Sequence, residues 1–135
     1  MANGTNLDGK YAYRFSGFSV FVGTPYYLTG IGTLNLTEGG RIDGVQRAAT
    51  TPLAGLSEAH SVRKDTITGT YAMSGDEGTA KVTFTGARDL EGGFDLVRVD
   101  SDRFWLISTA AKLLPGGAAA DEVITGEAVR IGSGG

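Results

Sequence analysis

TGIGTLNLTEGGRIDGVQ, residues 29–46, carries five glycines in eighteen residues, yet it otherwise reads as two extended strands around a reversal. Leu28, Gly30, Gly32, Leu34 and Leu36 alternate with Thr29, Ile31, Thr33 and Asn35, the period-two pattern of a half-buried strand. Glu38-Gly39-Gly40 can adopt positive φ and turn the chain back into a strand from Arg41 to about Ala49. Glycine weakens a strand interior unless strands must bend or approach closely, and a small closed barrel demands both. The hairpin is therefore expected to be curved, with volume left on its inner side.

The rest of the chain has the same texture. Short alternating segments separated by Gly or Asp turns predict about eight strands: 10–22, 26–37, 41–49, 66–73, 79–85, 93–99, 103–110 and 122–131. In the first, Tyr11, Tyr13 and Phe15 share a face, and the large residues change parity after Gly17 to Phe18, Val20 and Val22. A glycine at a parity change predicts a bulge there. Helix is almost absent; the one candidate is Thr51 to Lys64, with Thr51 as cap and Pro52 in the first turn. Thr50 to Asp65 is otherwise one long connection, a length typical of lids and binding loops but also of plain surface loops. The expected architecture is all-β: a single closed antiparallel barrel, neighbours mostly consecutive, the last strand closing on the first, with a core over about 7–131 and a glycine-rich tail at 132–135.

Composition narrows the function. At 135 residues, 41% hydrophobic and 20% charged, the chain has the length and make-up of one globular domain. A net charge of −3 with scattered Lys and Arg argues against nucleic acid as a partner. No stretch approaches the roughly 20 apolar residues of a membrane span, and the first residues lack the basic and apolar regions of a secretory signal. A cytoplasmic location is the expectation, with export of a longer precursor left open, as is self-association into a homo-oligomer. Zero cysteines exclude disulfides and thiolate chemistry. No cofactor or metal site is predicted: Gly39-Gly40 and Gly116-Gly117 lack the strand–glycine–helix setting that binds phosphates, and Asp100-Ser101-Asp102 reads as a turn.

The opening LDGKYAYRFSGF (7–18), TGTYAMSGDEGTAKVTFTG (68–86) and the closing ITGEAVRI (124–131) resemble the small bacterial barrels of the calycin, or lipocalin-like, type. Within that group they are similar to proteins with an allene oxide cyclase barrel-like domain. The resemblance covers about Leu7 to Ile131 and rests on strand pattern and glycine placement. It implies an eight-stranded barrel with an apolar cavity that binds or converts a hydrophobic small molecule. It carries over no catalytic residue.

The candidate site residues follow from the predicted inner faces. Tyr13, Phe15, Tyr71, Phe84 and Phe104 supply aromatic wall, and Gly30, Gly32, Gly44, Ala48, Gly69, Ala80 and Ala128 leave room. Gln46, Arg98 and Ser108 are inward polar groups that need partners; Gln46, Arg98 or a tyrosine could polarise a ligand carbonyl, or Arg98 could pair with Asp100 or Asp102. His60 beside Glu58 is a candidate acid–base pair, although a solvated loop histidine fits the same residues. Binding of a hydrophobic small molecule is the leading function, a cofactor-free cyclase or isomerase the second, and a packed structural or assembly barrel the third.

Overall fold

The computed structural model describes residues 7–21, 24–52, 61–86, 89–113 and 121–132. Eight antiparallel strands run β1 (Gly9–Phe21), β2 (Thr24–Leu36), β3 (Arg41–Pro52), β4 (Ser61–Ser74), β5 (Glu77–Thr85), β6 (Leu90–Asp100), β7 (Arg103–Leu113) and β8 (Asp121–Gly132). Each pairs with its sequence neighbour, and β8 closes on β1, so the expected all-β closed barrel is what forms. Among the described residues there is no helix, hence none long and apolar enough to cross a membrane.

The tight reversals gather at one end. Gly40, at φ 94°, closes the β2–β3 turn, where its N–H donates to the Thr37 carbonyl at 3.0 Å. Gly75, at φ 68°, turns β4 into β5. At Asp100-Ser101-Asp102 the Asp100 carboxylate accepts from the Asp102 backbone N–H at 2.8 Å and from Arg103 at 3.0 Å, holding its own carboxyl below the usual range chiefly through that backbone bond. The interior of this end is closed by Leu7, Tyr11, Leu36, Ile42, Tyr71 and Phe104, all buried. Tyr11 meets Phe104 edge-on at 5.0 Å, and the Tyr71 hydroxyl donates to the Thr37 carbonyl at 2.5 Å. Burial is the main cause that pushes both the Tyr11 and Tyr71 phenols up.

Two expectations about strand geometry fail. No bulge or parity change occurs at Gly17: β1 pairs without interruption through Phe15↔Gly30, Gly17↔Leu28 and Ser19↔Tyr26 on one side, and through Gly17↔Ile124 on the other. Ser19 is therefore the inward residue, buried at 1% exposure, and Phe18 packs outside against Tyr27 at 5.5 Å. A Cβ at position 17 would collide with the Val123 carbonyl and lie 2.8 Å from the Ile124 Cα. Gly17 lets β1 and β8 approach; it does not shift their register.

The long connection of 50–65 is also shorter than expected. β3 continues to Pro52 and β4 begins at Ser61, with Thr50↔Ser61, Ala48↔Arg63 and Gln46↔Asp65 paired. A helix over 51–64 is thus excluded at both its ends, where the backbone is strand. The candidate acid–base pair, Glu58 and His60, lies outside the described residues.

Candidate functional site

The glycines of β2 set the architecture of the interior. Register places Tyr13, Gly32, Gln46 and Asp65 side by side across β1 to β4, with Phe15, Gly30, Ala48 and Arg63 in the adjacent layer. Every one of these residues is inward by the pleat. A Cβ on Gly32 would lie 2.7 Å from Cε1 and 2.9 Å from Cζ of Tyr13, and one on Gly30 would lie 2.6 Å from Cε2 of Phe15. The two rings of β1 lie across the two glycines of β2, stacked at 6.1 Å between centroids. The expectation that these glycines leave empty space is therefore corrected: the volume they vacate is taken by Tyr13 and Phe15.

Lying flat across Gly32 brings the Tyr13 hydroxyl to β3, where it donates to Gln46 Oε1 at 2.5 Å. Gln46 is 7% exposed, so this bond satisfies an inward amide oxygen that would otherwise be stranded. One strand further, Arg63 and Asp65 sit two residues apart on the inner face of β4. The guanidinium grips both carboxylate oxygens, at 2.7 Å from Nη2 and 3.0 and 3.1 Å from Nε. Asp65 is 2% exposed. Such a bidentate pair is what makes an inward charge tolerable. Burial, with a smaller contribution from the Asp65 charge, pushes the Tyr13 phenol far above the ordinary tyrosine range, so it stays a neutral hydrogen-bond donor.

Above the closed end a cavity of about 450 Å³ extends along the barrel toward Tyr26, Thr50, Phe84 and Leu90. Its walls are unequal. Among the described residues, its polar side chains come from β1 to β4: Tyr13, Ser19, Tyr26, Gln46, Thr50, Arg63, Asp65 and Tyr71. The described lining residues of the other half are Ala80, Val82, Phe84, Leu90, Phe94, Leu96, Phe104, Leu106 and Ile124. Phe84 and Phe94 meet edge-on at 6.5 Å in that apolar wall.

Of the residues expected from sequence, Tyr13, Phe15, Gln46, Tyr71, Phe84 and Phe104 line this cavity. Arg98 and Ser108 do not. Arg98 lies at the closed end, where its Nε is 4.0 Å from Asp76 on the β4–β5 turn, and its backbone N–H donates to the Asp76 carbonyl at 2.7 Å. Ser108 Oγ accepts from the Ile124 backbone N–H at 3.0 Å, replacing a ladder bond where the β7–β8 pairing stops at Ile107↔Thr125.

Ser19, Arg63 and Asp65 escaped sequence reasoning for identifiable reasons. Counting inward from Tyr11 by twos reaches Ser19 only if Gly17 is read as an ordinary strand residue. Counting back from Ile67 by twos reaches Asp65 and Arg63 only if β4 is allowed to start before Thr66. No family model, curated protein or solved structure matches this chain. The eight-stranded barrel and its half-polar cavity are therefore the whole basis for a functional reading.

Proposed function

We propose that this barrel binds a hydrophobic small molecule in its interior. The observation that carries the proposal is the roughly 450 Å³ cavity with a wall on β5–β8 that is apolar among the described residues. That volume falls in the range of small-molecule sites, about 300–1,000 Å³. Left dry, a void of this size would forfeit on the order of 10 kcal/mol at about 24 cal/mol per Å³, comparable to the whole stability of a domain. The space is consequently filled by solvent or ligand, and an apolar ligand gains about 25 cal/mol for each Å² it removes from water.

A cyclase or isomerase has weaker support. It would polarise a carbonyl through Gln46, Arg98 or a tyrosine; Arg98 does not line the cavity, and the Tyr13 hydroxyl proton is already donated to Gln46 Oε1, which leaves the Gln46 amide N–H groups as the donor.

The test is titration with N-phenyl-1-naphthylamine, an uncharged dye that brightens in apolar surroundings. Saturable one-to-one binding is expected, and Ala80→Phe, which places a ring in the cavity, should abolish it while thermal unfolding stays cooperative. Absence of saturable binding, or equal binding by the folded Ala80→Phe variant, refutes the reading.

A further inference from the structure

We infer that the ligand is an uncharged, oxygenated hydrocarbon whose hydroxyl or carbonyl group hydrogen-bonds to Ser19 Oγ, with its hydrocarbon body turned toward β5–β8. This rests on the proposed binding function and specifies the chemistry of that same site.

Three observations converge. Ser19 is 1% exposed and lines the cavity, and its Oγ has no hydrogen-bond partner among the described residues. Its neighbours across the two ladders are Tyr26 on β2 and Glu122 on β8. A buried hydroxyl without a partner is unfavourable, and one that faces a cavity is satisfied by what enters it. A hydroxyl both donates and accepts, so it serves an alcohol or a carbonyl equally.

The second observation is charge. The only charged side chains among the described residues lining the cavity are Arg63 and Asp65, and they neutralise each other through the bidentate contact at 2.7 Å. A ligand carboxylate would compete with Asp65 for the guanidinium and meet its negative charge; a ligand ammonium would meet Arg63. Neither finds an uncompensated partner among the described residues, and a charge brought out of water without one is strongly disfavoured.

The third is the division of the wall. Among the described residues, the polar side chains that line the cavity are all on β1–β4, with Ser19 at the edge next to β8, whose described lining residue is Ile124. A molecule polar on one side and hydrocarbon on the other matches both halves; a plain alkane would leave the Ser19 hydroxyl unpaired.

The experiment is displacement of bound N-phenyl-1-naphthylamine by dodecan-1-ol, dodecanoate and dodecyltrimethylammonium, chain-matched and below their micelle concentrations. Dodecan-1-ol is expected to displace the dye at least about tenfold more effectively than either ion, the scale of an uncompensated partly buried charge. In Ser19→Ala the alcohol's affinity relative to the dye should drop by about three- to tenfold, the worth of one net hydrogen bond. Dodecanoate or dodecyltrimethylammonium binding as well as the alcohol overturns the inference, as does an unchanged alcohol-to-dye ratio in folded Ser19→Ala. Failure of the dye itself to bind is the different result that removes the underlying ligand reading.

Discussion

Replacing Gly32 by alanine should damage the site and the barrel together. The new Cβ would lie 2.7 Å from Tyr13 Cε1 and 2.9 Å from Cζ, and it would also collide with the Val45 carbonyl oxygen. The ring can swing away only by giving up its bond to Gln46, whereas the carbonyl belongs to the β2–β3 ladder and cannot yield without distorting it. Overpacking costs about 1–3 kcal/mol, and separating a buried hydrogen-bonded pair about 1–3 more, giving a loss of roughly 2–6 kcal/mol. For 135 residues the unfolding entropy near the midpoint is about 0.28 kcal/mol per degree, so Tm should fall by about 7–21 °C. Gly39→Ala is the matched control, since its Cβ would meet nothing nearer than Thr37 Oγ1 at 3.9 Å, and it should stay within about 2 °C. Differential scanning calorimetry reads both. The same substitution in a Tyr13→Ala background separates the ring from the backbone, because the clash with the ring is then gone and only the one with Val45 remains. Should Gly32→Ala cost the same with and without the Tyr13 ring, the glycine does not exist to seat that ring, and the account of the β1–β2 interior is wrong.

Two further consequences concern charge. Asp65→Asn removes the carboxylate charge that the Arg63 guanidinium grips; because the Arg63 side chain keeps 26% exposure, the loss should fall below the roughly 3–5 kcal/mol of a fully buried pair. The cavity then carries net positive charge, and dodecanoate should displace the dye more strongly than it does from the unsubstituted protein; unchanged displacement would mean that Arg63 does not face the ligand. The buried phenols give an alkaline limit. Burial raises Tyr11, Tyr13 and Tyr71 in the folded chain above the ordinary value of about 10, so above that pH the unfolded chain releases protons that the folded chain keeps. Stability is thus fully retained below about pH 10 and declines as pH rises further. Urea midpoints should fall between pH 9 and 11, less steeply in Tyr13→Phe, and equal slopes in the two proteins would exclude Tyr13 as a contributor.

Much of the architecture could be read locally, because side-chain direction in a strand follows a strict period of two. Leu28, Gly30, Gly32, Leu34 and Leu36 fell on the inner face as their alternation required, and Ile67, Gly69, Tyr71 and Met73 did the same on β4. Turn chemistry marked Gly40, whose φ of 94° lies in the left-handed region. Errors arose where the local pattern admitted two continuations. At Gly17 a second set of aromatic residues imitated a parity change, because Phe18 and Tyr27 pair on the outer surface. At 61–65 the polar inward residues Arg63 and Asp65 broke the apolar alternation, so the start of β4 looked like loop. Their mutual neutralisation is invisible until the strand is in place.

The amino-acid sequence by itself determined the element type, the strand order and the inward positions of most of the wall, because alternation, glycine and turn residues act over a few neighbours. Only the tertiary structure decided what the inward glycines are for and what the polar residues do. Gly32, Tyr13 and Gln46 lie on three strands, and nothing local says that one ring will cross a glycine to reach an amide 33 positions away along the chain. The same holds for Arg98 and Ser19. Position across the barrel moved the first from the ligand to the closed end and brought the second, unremarkable as a sequence letter, to the cavity wall as its unpartnered hydroxyl.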